Sequence, residues 1–204
     1  MRRYGFYIDT AHCSGCKTCQ IACQDKNDLY PELIWRKVLD IEGGEWKEDE
    51  ETYNNYPFAY HLSISCNHCS DPLCVHACPT KAMHVTDIGS VGIDESKCIG
   101  CGYCTWACPY DAPRLNKKTG RMSKCDMCYD KVINNENPVC VDSCPMRALD
   151  FGYLDDLEER YGDKKSIFPL VNEDLTGPSM VINPHRDSEK AGEGNSEIAN
   201  REEL

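Results

Sequence analysis

The sequence lacks several features that are typical of common protein classes. Its 204 residues contain no run of about 18 apolar residues, the length that a membrane-spanning helix needs. Basic residues are few, since 22 lysines and arginines face 34 aspartates and glutamates and leave a net charge of −12. A phosphate-binding surface needs clustered lysine and arginine. We therefore expect no direct membrane span and no nucleic-acid partner.

Signals for export and for catalysis are also missing. The first residues, MRRY, contain two arginines, but Asp9 and His12 interrupt the segment that follows before an apolar stretch can form. There is no glycine-rich phosphate loop after a strand, no serine nucleophile elbow and no HExxH sequence. We expect a chain with no export signal, no membrane anchor and no catalytic site of its own.

Cysteine, in contrast, is abundant, with 16 residues. Disulfides, zinc and iron–sulfur clusters are the three uses to weigh. Disulfide-rich scaffolds belong to secreted proteins, so the missing export signal disfavours that use. The cysteines form four groups of four with none left over. These groups are Cys13, Cys16, Cys19 and Cys23; Cys66, Cys69, Cys74 and Cys78; Cys98, Cys101, Cys104 and Cys108; and Cys125, Cys128, Cys140 and Cys144.

Internal repeats sort these groups into two kinds. The segment 8–23, IDTAHCSGCKTCQIAC, matches 93–108, IDESKCIGCGYCTWAC, at a constant offset and without a gap. The segment 74–83, CVHACPTKAM, matches 140–149, CVDSCPMRAL, in the same way at a different offset. The first and third groups are therefore one kind of element, and the second and fourth are another.

The spacing within the third group favours iron–sulfur clusters. Its cysteines are separated by two, two and three residues, and Pro109 follows the last of them. In the bacterial ferredoxin pattern, three such cysteines wrap one cluster, and the fourth begins a helix and binds the neighbouring cluster. Zinc ribbons use two separated CxxC pairs and need neither a third cysteine at this spacing nor the Cys-Pro ending. Zinc remains the structural alternative, and we predict four [4Fe–4S] clusters.

Complementary groups then exchange their fourth cysteines, which gives four predicted ligand sets. Site 1 is Cys13, Cys16, Cys19 and Cys144; site 2 is Cys125, Cys128, Cys140 and Cys23; site 3 is Cys66, Cys69, Cys74 and Cys108; and site 4 is Cys98, Cys101, Cys104 and Cys78.

These sets predict an α+β fold of two bacterial-type dicluster ferredoxin modules, one inserted in the other, with loop-rich extensions. The second and third groups are neighbours in sequence and make an inner module at 59–117. The first and fourth groups must meet across it, so the outer module combines 1–28 with 118–150.

Three further segments complete the predicted organisation. Residues 29–58 form an insertion with Gly43–Gly44 as its turn, and 151–185 form a C-terminal extension. The polar segment 186–204 lacks aromatic residues, and we expect it to remain a mobile tail. Short strands are predicted at 4–9, 60–65 and 90–94, and a helix is predicted within 16–28.

Glycine and proline in the cysteine groups have predicted roles. Gly15 and Gly100 allow positive φ and a close approach of backbone N–H groups to sulfur. Proline breaks the local helix after the last cysteine, but Gln24 takes its place in the first group. The prolines concerned are Pro79, Pro109 and Pro145.

Other residues near the cysteines carry weaker signals. Lys81 and Arg147 follow matching Cys-Pro steps and either raise cluster potentials or are ordinary solvent-facing cations. Tyr103, Trp106 and Tyr110 either shield clusters from water or simply pack in the core.

Four stretches of sequence closely resemble one type of subunit. They are YGFYID…CSGCKTC…AC, SISCNHCSDPLC, CIGCGYCTWACPYDAP and KCDMCYDK…PVCVDSCPMRALDFG. Together they resemble the four-cluster iron–sulfur subunit of the bacterial dimethyl sulfoxide reductase family, over roughly residues 4–185. The resemblance implies an electron-transfer subunit between a molybdopterin-containing catalytic subunit and an integral membrane subunit that oxidises menaquinol. Electrons would pass through four clusters to molybdenum, where a sulfoxide or N-oxide is reduced in anaerobic respiration.

The resemblance also implies an orientation and a location. Site 4 would lie toward the quinol, and sites 1 and 2 toward molybdenum. The subunit would be peripheral on the cytoplasmic membrane through its partners, on the extracytoplasmic face after export together with the catalytic subunit; the cytoplasmic face is the alternative. In related nitrate reductases one cysteine of the third group is replaced and the centre is [3Fe–4S], whereas all four are cysteine here.

Other functions share parts of this pattern. The equivalent subunit of a polysulfide, thiosulfate or tetrathionate reductase, or of a formate dehydrogenase, has the same cluster scaffold. A free-standing soluble ferredoxin is a further alternative, but such a carrier needs neither the 29–58 insertion nor the 151–185 extension.

Overall fold

The computed structural model describes residues 2–50, 52–192 and 194–204 and has the predicted α+β class. The strands are β1 (Tyr4–Asp9), β2 (Lys37–Asp49), β3 (Thr52–Ile64), β4 (Met83–Val85), β5 (Val91–Ile93), β6 (Arg114–Asn116), β7 (Arg121–Ser123), β8 (Leu149–Tyr153), β9 (Met180–Asn183) and β10 (Ser196–Ile198). The α-helices are α1 (Thr18–Lys26), α2 (Leu73–His76), α3 (Tyr103–Ala107), α4 (Tyr129–Val132), α5 (Val139–Asp142) and α6 (Leu154–Tyr161). Short 3-10 helices lie at Glu173–Leu175 and Arg201–Glu203.

A three-stranded sheet in the order β8-β1-β9 joins the two ends of the chain. Its central strand β1 is buried on both faces, because successive side chains point to opposite sides of a strand. Phe6 and Ile8 pack in the main core, together with several cysteines. Tyr7 packs on the other face with Leu157 of α6 and Val181 of β9. This sheet therefore brings the N-terminal cysteine loop next to the C-terminal part of the chain.

The insertion 29–58 contributes to a long hairpin instead of turning at Gly43–Gly44. Strands β2 and β3 pair without interruption through both glycines, and the chain reverses between Asp49 and Thr52. The prediction of a turn at the glycines is wrong. Gly43 lies opposite Ser196 of β10, and a Cβ atom at Gly43 would collide with the carbonyl oxygen of Asn195. The glycine is required by the close approach of a neighbouring strand, which a local sequence signal does not distinguish from a turn.

The segment 186–204, which we expected to be a mobile tail, has more structure than its composition predicts. Strand β10 pairs antiparallel with β2, and Ala199 N donates to Asp40 O at 2.8 Å. The buried Asn200 side chain accepts from Asp40 N and donates to Val38 O, both at 2.9 Å. Backbone pairing does not require apolar side chains, so the polar composition concealed these contacts.

Two strand pairs have the same register once the repeats are superimposed. Strand β1 pairs antiparallel with β8, with Ile8 opposite Leu149. Strand β5 pairs antiparallel with β4, with Ile93 opposite Met83. In the first repeat Ile93 corresponds to Ile8, and in the second Leu149 corresponds to Met83. The sequence repeats therefore correspond to repeated strand pairs.

The helices also pack in pairs that match the two kinds of cysteine group, and most of them end close to the proline of their group. Helix α1 packs against α5, and α2 packs against α3. Helices α2, α3 and α5 are short and end before the proline of their group, as predicted. Helix α1, in which Gln24 replaces proline, continues to Lys26. In the described ranges no helix is both long enough and apolar enough to cross a bilayer.

Candidate metal centres

Two pockets are each lined by four cysteines from different parts of the chain. One is lined by all four cysteines of site 1. The other is lined by all four cysteines of site 4. In both pockets the fourth cysteine, Cys144 or Cys78, comes from the complementary group. The structure therefore brings together the residues that the spacing predicted for these two sites.

The cysteines of sites 2 and 3 are buried, except for Cys69 and Cys108, which are partly buried, and they influence one another electrostatically. Burial raises the pKa of Cys23 to about 12, and the nearby thiols of Cys140 and Cys128, which belong to the fourth group, contribute to this rise. Burial also raises the pKa of Cys74 to about 12, with contributions from the other three members of site 3. Cys23 is thus close to the fourth group, and Cys108 of the third group is close to Cys74.

Neighbouring sites touch each other in the order of their numbers. Sites 1 and 2 are neighbours, because Cys19 on α1 and Cys140 on α5 both belong to the main core and these two helices pack against each other. Sites 2 and 3 meet at Cys125 and Cys66, which pack in one cluster of buried side chains.

Sites 3 and 4 meet at Cys74 and Cys104, which pack together with Met83, Val91 and Met122. The ends of the row reach the surface, because Cys16 of site 1 and Cys101 of site 4 are exposed. The predicted sites therefore follow one another in the order of their numbers, and each of the two terminal sites has an exposed cysteine.

The loops around sites 1 and 4 need glycine, as predicted. Gly15 has φ +68° and Gly100 has φ +69°, a region that favours glycine. A Cβ atom at Gly15 would come within 2.6 Å of the His61 ring, and one at Gly100 would collide with the carbonyl oxygen of Gly120. A side chain at either position would therefore be strained by the backbone conformation and would displace a neighbouring group.

Backbone N–H groups donate to several of the sulfur atoms. At site 4, Met122 N donates to Cys98 Sγ at 3.3 Å, and Met83 N donates to Cys78 Sγ at 3.5 Å. Such hydrogen bonds stabilise negative charge on sulfur and help to set cluster potentials. The donors belong to β7 and β4, so sequence spacing within the cysteine loops did not identify them.

The thiols fit a cationic group that displaces their protons. Burial raises the pKa of Cys13, Cys69, Cys104 and Cys128 to about 11, so these thiols keep their protons at neutral pH. Iron binds the thiolate, so cluster binding must release these protons. Each thiolate of a cubane binds a different iron, so the four ligands stand further apart than those around one zinc ion. The four cysteines that line each of the pockets at sites 1 and 4 can supply the four thiolates of such a cluster.

A buried arginine that the sequence analysis did not identify lies among sites 1 and 2. Arg36 is 2% exposed; its Nη1 donates to Ser63 Oγ at 3.1 Å, and its Nη2 donates to Ser65 Oγ at 3.0 Å. Its guanidinium carbon lies 4.9 Å from the centre of the Phe6 ring. Ser63 Oγ is 3.2 Å from Cys19 Sγ. A lone arginine in a loop carries no local pattern that would reveal this position.

Most of the cationic and aromatic residues that the sequence analysis noted near the cysteines lie at the surface. Lys81 and Arg147 are exposed, which fits solvent-facing cations. Trp106 is 82% exposed and Tyr103 is 50% exposed, so neither packs in the core of this chain. Tyr110 is partly buried and hydrogen bonds Thr176.

Comparison with known proteins gives one family model and several relatives. The model described as 4Fe-4S dicluster domain matches residues 57–154. The chain is 48% identical over 202 residues to the B subunit of anaerobic dimethyl sulfoxide reductase from Escherichia coli (strain K12), covering 99% of this chain and 98% of that protein. It is 45% identical over 205 residues to the corresponding subunit of Haemophilus influenzae, covering 100% of both. It is 36% identical over 168 residues to the thiosulfate reductase electron transfer subunit PhsB of Salmonella typhi, covering 81% of this chain and 84% of that protein.

These matches confirm the predicted cofactor. With 16 cysteines, the chain is a ferredoxin-type protein with four [4Fe–4S] clusters, and the zinc alternative is set aside. Which cysteines bind which cluster stays a prediction.

Proposed function

Because the chain belongs to the family of iron–sulfur subunits that includes the B subunit of anaerobic dimethyl sulfoxide reductase, we propose that it relays electrons between two partner subunits. The electrons come from an integral membrane subunit that oxidises quinol and go to a molybdopterin-containing catalytic subunit. That subunit reduces dimethyl sulfoxide or a related S- or N-oxide, and this chain contributes no catalytic site. The observation that carries the proposal is the row of four cysteine sites with exposed ends.

We propose that sites 1 to 4 are the ligand sets of the four clusters. The clusters supply one-electron redox chemistry when bound, and the chain holds them in series. The two pockets at sites 1 and 4 support the exchange of fourth cysteines. Support for one module nested in the other comes from the matching registers of β1 with β8 and of β5 with β4.

An exposed apolar surface at one end of the row supports the proposed orientation of the relay. Around Cys101 lies an apolar patch, defined as Ile99, Tyr103, Trp106 and Leu115, whose side chains are between 46% and 82% exposed. Exposed aromatic and aliphatic residues of this kind suit a contact with another subunit. We assign this end, at site 4, to the quinol-oxidising membrane subunit. The opposite end, at Cys16, faces the catalytic subunit.

The location follows from the partners. The chain is peripheral on the cytoplasmic membrane and is held there by its partner subunits. We assign it to the extracytoplasmic face, reached by export together with the catalytic subunit. Protease treatment of spheroplasts tests this side: degradation without lysis supports the assignment, and protection until lysis supports the cytoplasmic face.

A thiosulfate reductase is the second candidate, because PhsB matches 81% of this chain. The catalytic partner distinguishes the two. A tagged chain is purified without oxygen from its native host together with its partners, and metals and activities are measured. Molybdenum or tungsten at about one atom per sixteen iron, with sulfoxide reductase activity, supports the proposal. Thiosulfate reduction supports the second candidate, and a solitary iron-containing chain contradicts both in favour of a free ferredoxin.

A further inference from the structure

Arg36 is a buried cation with no acidic partner in the described ranges 2–50, 52–192 and 194–204. Its hydrogen bonds go to the hydroxyls of Ser63 and Ser65 and to one backbone carbonyl, and its flat face lies on Phe6. All of these partners are neutral. A charge that is removed from water without an opposite charge strongly destabilises a fold. The guanidinium therefore requires a negative group that these contacts do not supply.

The acidic groups that influence the charge of Arg36 most strongly are thiols. Burial lowers the pKa of Arg36, but the negative charges that Cys140, Cys19, Cys125 and Cys23 carry when deprotonated raise it above its ordinary value. Cysteine binds iron as the thiolate, and a [4Fe–4S] cluster with four thiolates is anionic. The missing opposite charge is therefore present when sites 1 and 2 hold their clusters.

We propose that Arg36 is a fixed counter-charge between sites 1 and 2 that keeps the reduction potentials of both clusters higher than they would be without it. This inference rests on the ligand sets of the proposed function. Reduction adds a negative charge to a cluster, and a positive charge nearby in a low-dielectric interior stabilises the reduced state. Arg36 stays protonated at any physiological pH, so its charge is constant.

The surroundings of Arg36 place it near both sites. The hydroxyl of Ser63 lies between the guanidinium and Cys19 Sγ of site 1. Cys19 lies on α1, which packs against α5, the helix that carries Cys140 of site 2. Sites 1 and 2 should therefore both depend on Arg36, and sites 3 and 4 should depend on it least.

Burial distinguishes Arg36 from the cations that follow the Cys-Pro steps. Lys81 and Arg147 are exposed, so water and salt screen their charges from the clusters. Arg36 has no such screening, because its side chain lies almost entirely inside the protein. Through its charge, Arg36 helps to set the reduction potentials of the clusters at sites 1 and 2.

The test is a potentiometric titration of the purified complex with dithionite and redox mediators, monitored by EPR. The variants are Arg36→Gln, which removes the charge, and Arg36→Lys, which keeps it. In Arg36→Gln we expect the clusters at sites 1 and 2 to become at least tenfold harder to reduce, a fall of about 59 mV for a one-electron couple. Arg36→Lys should restore most of both shifts, and sites 3 and 4 are the internal reference.

A packing control separates charge from structure. Phe6→Leu removes the ring under the guanidinium and leaves the charge, so it should lower thermal stability without moving the potentials. Unshifted potentials in Arg36→Gln, equal shifts at all four sites, or the same shifts in Phe6→Leu overturn the proposal. If Arg36→Gln fails to load sites 1 and 2, the charge-retaining Arg36→Lys must load all four; equal iron loss in both variants also overturns it.

The wild-type complex tests the proposed function separately. If four clusters are reduced in the wild type and their potentials are unchanged in Arg36→Gln, the role of Arg36 is overturned and the proposed relay is unaffected. A wild-type chain without four reducible clusters contradicts the relay itself.

Discussion

Cys19 and Cys23 lie one turn apart on α1, and this placement supports the prediction that they belong to different sites. Four residues of α-helix advance the chain by about 6 Å and return the side chain to the same face. Both residues are buried, and Cys19 is close to site 2 while lining the pocket of site 1. The helix therefore runs along the row, which makes the fourth cysteine available to the next cluster.

Replacement of Cys23 tests this exchange. We expect Cys23→Ser to alter the EPR signal of site 2, and to alter the same signal as Cys125→Ser, because both residues belong to one ligand set. The matched control is Cys19→Ser, from the same sequence group and the same helix, which should alter a different signal. If Cys23→Ser and Cys19→Ser affect one and the same cluster, the exchange of fourth cysteines is wrong.

Two glycines in the third cysteine group allow a matched test of the loop. Both have positive φ, +69° at Gly100 and +79° at Gly102, but only Gly100 has a neighbour that a Cβ atom would strike. Gly102→Ala should lower the free energy of unfolding by about 1–2 kcal/mol, the cost of left-handed backbone at a non-glycine residue. Gly100→Ala adds a collision with Gly120 and should lower it further and reduce the iron content of site 4.

Anaerobic thermal unfolding and iron per chain measure both effects. Equal melting temperatures and equal iron content in Gly100→Ala and Gly102→Ala would show that the close approach of Gly120 does not constrain the cluster loop.

At the scale of elements, local signals predicted some boundaries well. The stretch YGFYID, predicted as a strand at 4–9, coincides with β1, and the predicted strand at 90–94 contains β5. The helix predicted within 16–28 contains α1, and the missing proline explains its length. These features depend on neighbours in sequence, so the sequence alone was sufficient for them.

Elements that depend on distant partners were missed. The edge strand β10 forms because the backbone groups along one edge of β2 are available to pair with a segment close to the C-terminus. Gly43 of β2 lies opposite this strand. Composition describes side chains and not backbone pairing, so it could not identify this strand. The turn predicted at Gly43–Gly44 was wrong for the same reason, because the contact that requires glycine there comes from a distant segment.

Asn200 provides a test of this C-terminal contact. Asn200→Ala removes two hydrogen bonds and leaves Val38 O and Asp40 N without partners in the interior. We expect a loss of about 1–3 kcal/mol in the free energy of unfolding. Asn54→Ala, at an exposed position of β3, is the control and should change stability little. Equal free energies of unfolding in the two variants would indicate that the segment after β10 does not stabilise the β2–β3 hairpin.

At the scale of the whole molecule, the repeats were sufficient to group the cysteines, but not to order the sites. The two constant offsets predicted two copies of each element, and the strand registers agree with them. Adjacency of sites 2 and 3 depends on Cys125 and Cys66, which are far apart in sequence and have no shared motif. Arg36 likewise lies outside every cysteine motif. Both features result from tertiary packing, which spacing does not encode.

The proposed orientation of the relay predicts where electrons enter. Cys101 is exposed and is a predicted ligand of site 4, so Cys101→Ser should convert or remove that cluster and leave the signals of the other three. An electron from quinol then has no first acceptor, whereas an artificial donor that reduces the catalytic subunit directly bypasses the row.

The most direct test of the relay is therefore the activity of the Cys101→Ser complex with two electron donors. We predict that sulfoxide reduction driven by quinol falls by at least tenfold, while reduction driven by reduced viologen stays close to the wild-type rate. Quinol-driven reduction at the wild-type rate, in a complex whose EPR spectrum shows that site 4 is altered, would contradict the proposed entry of electrons at site 4.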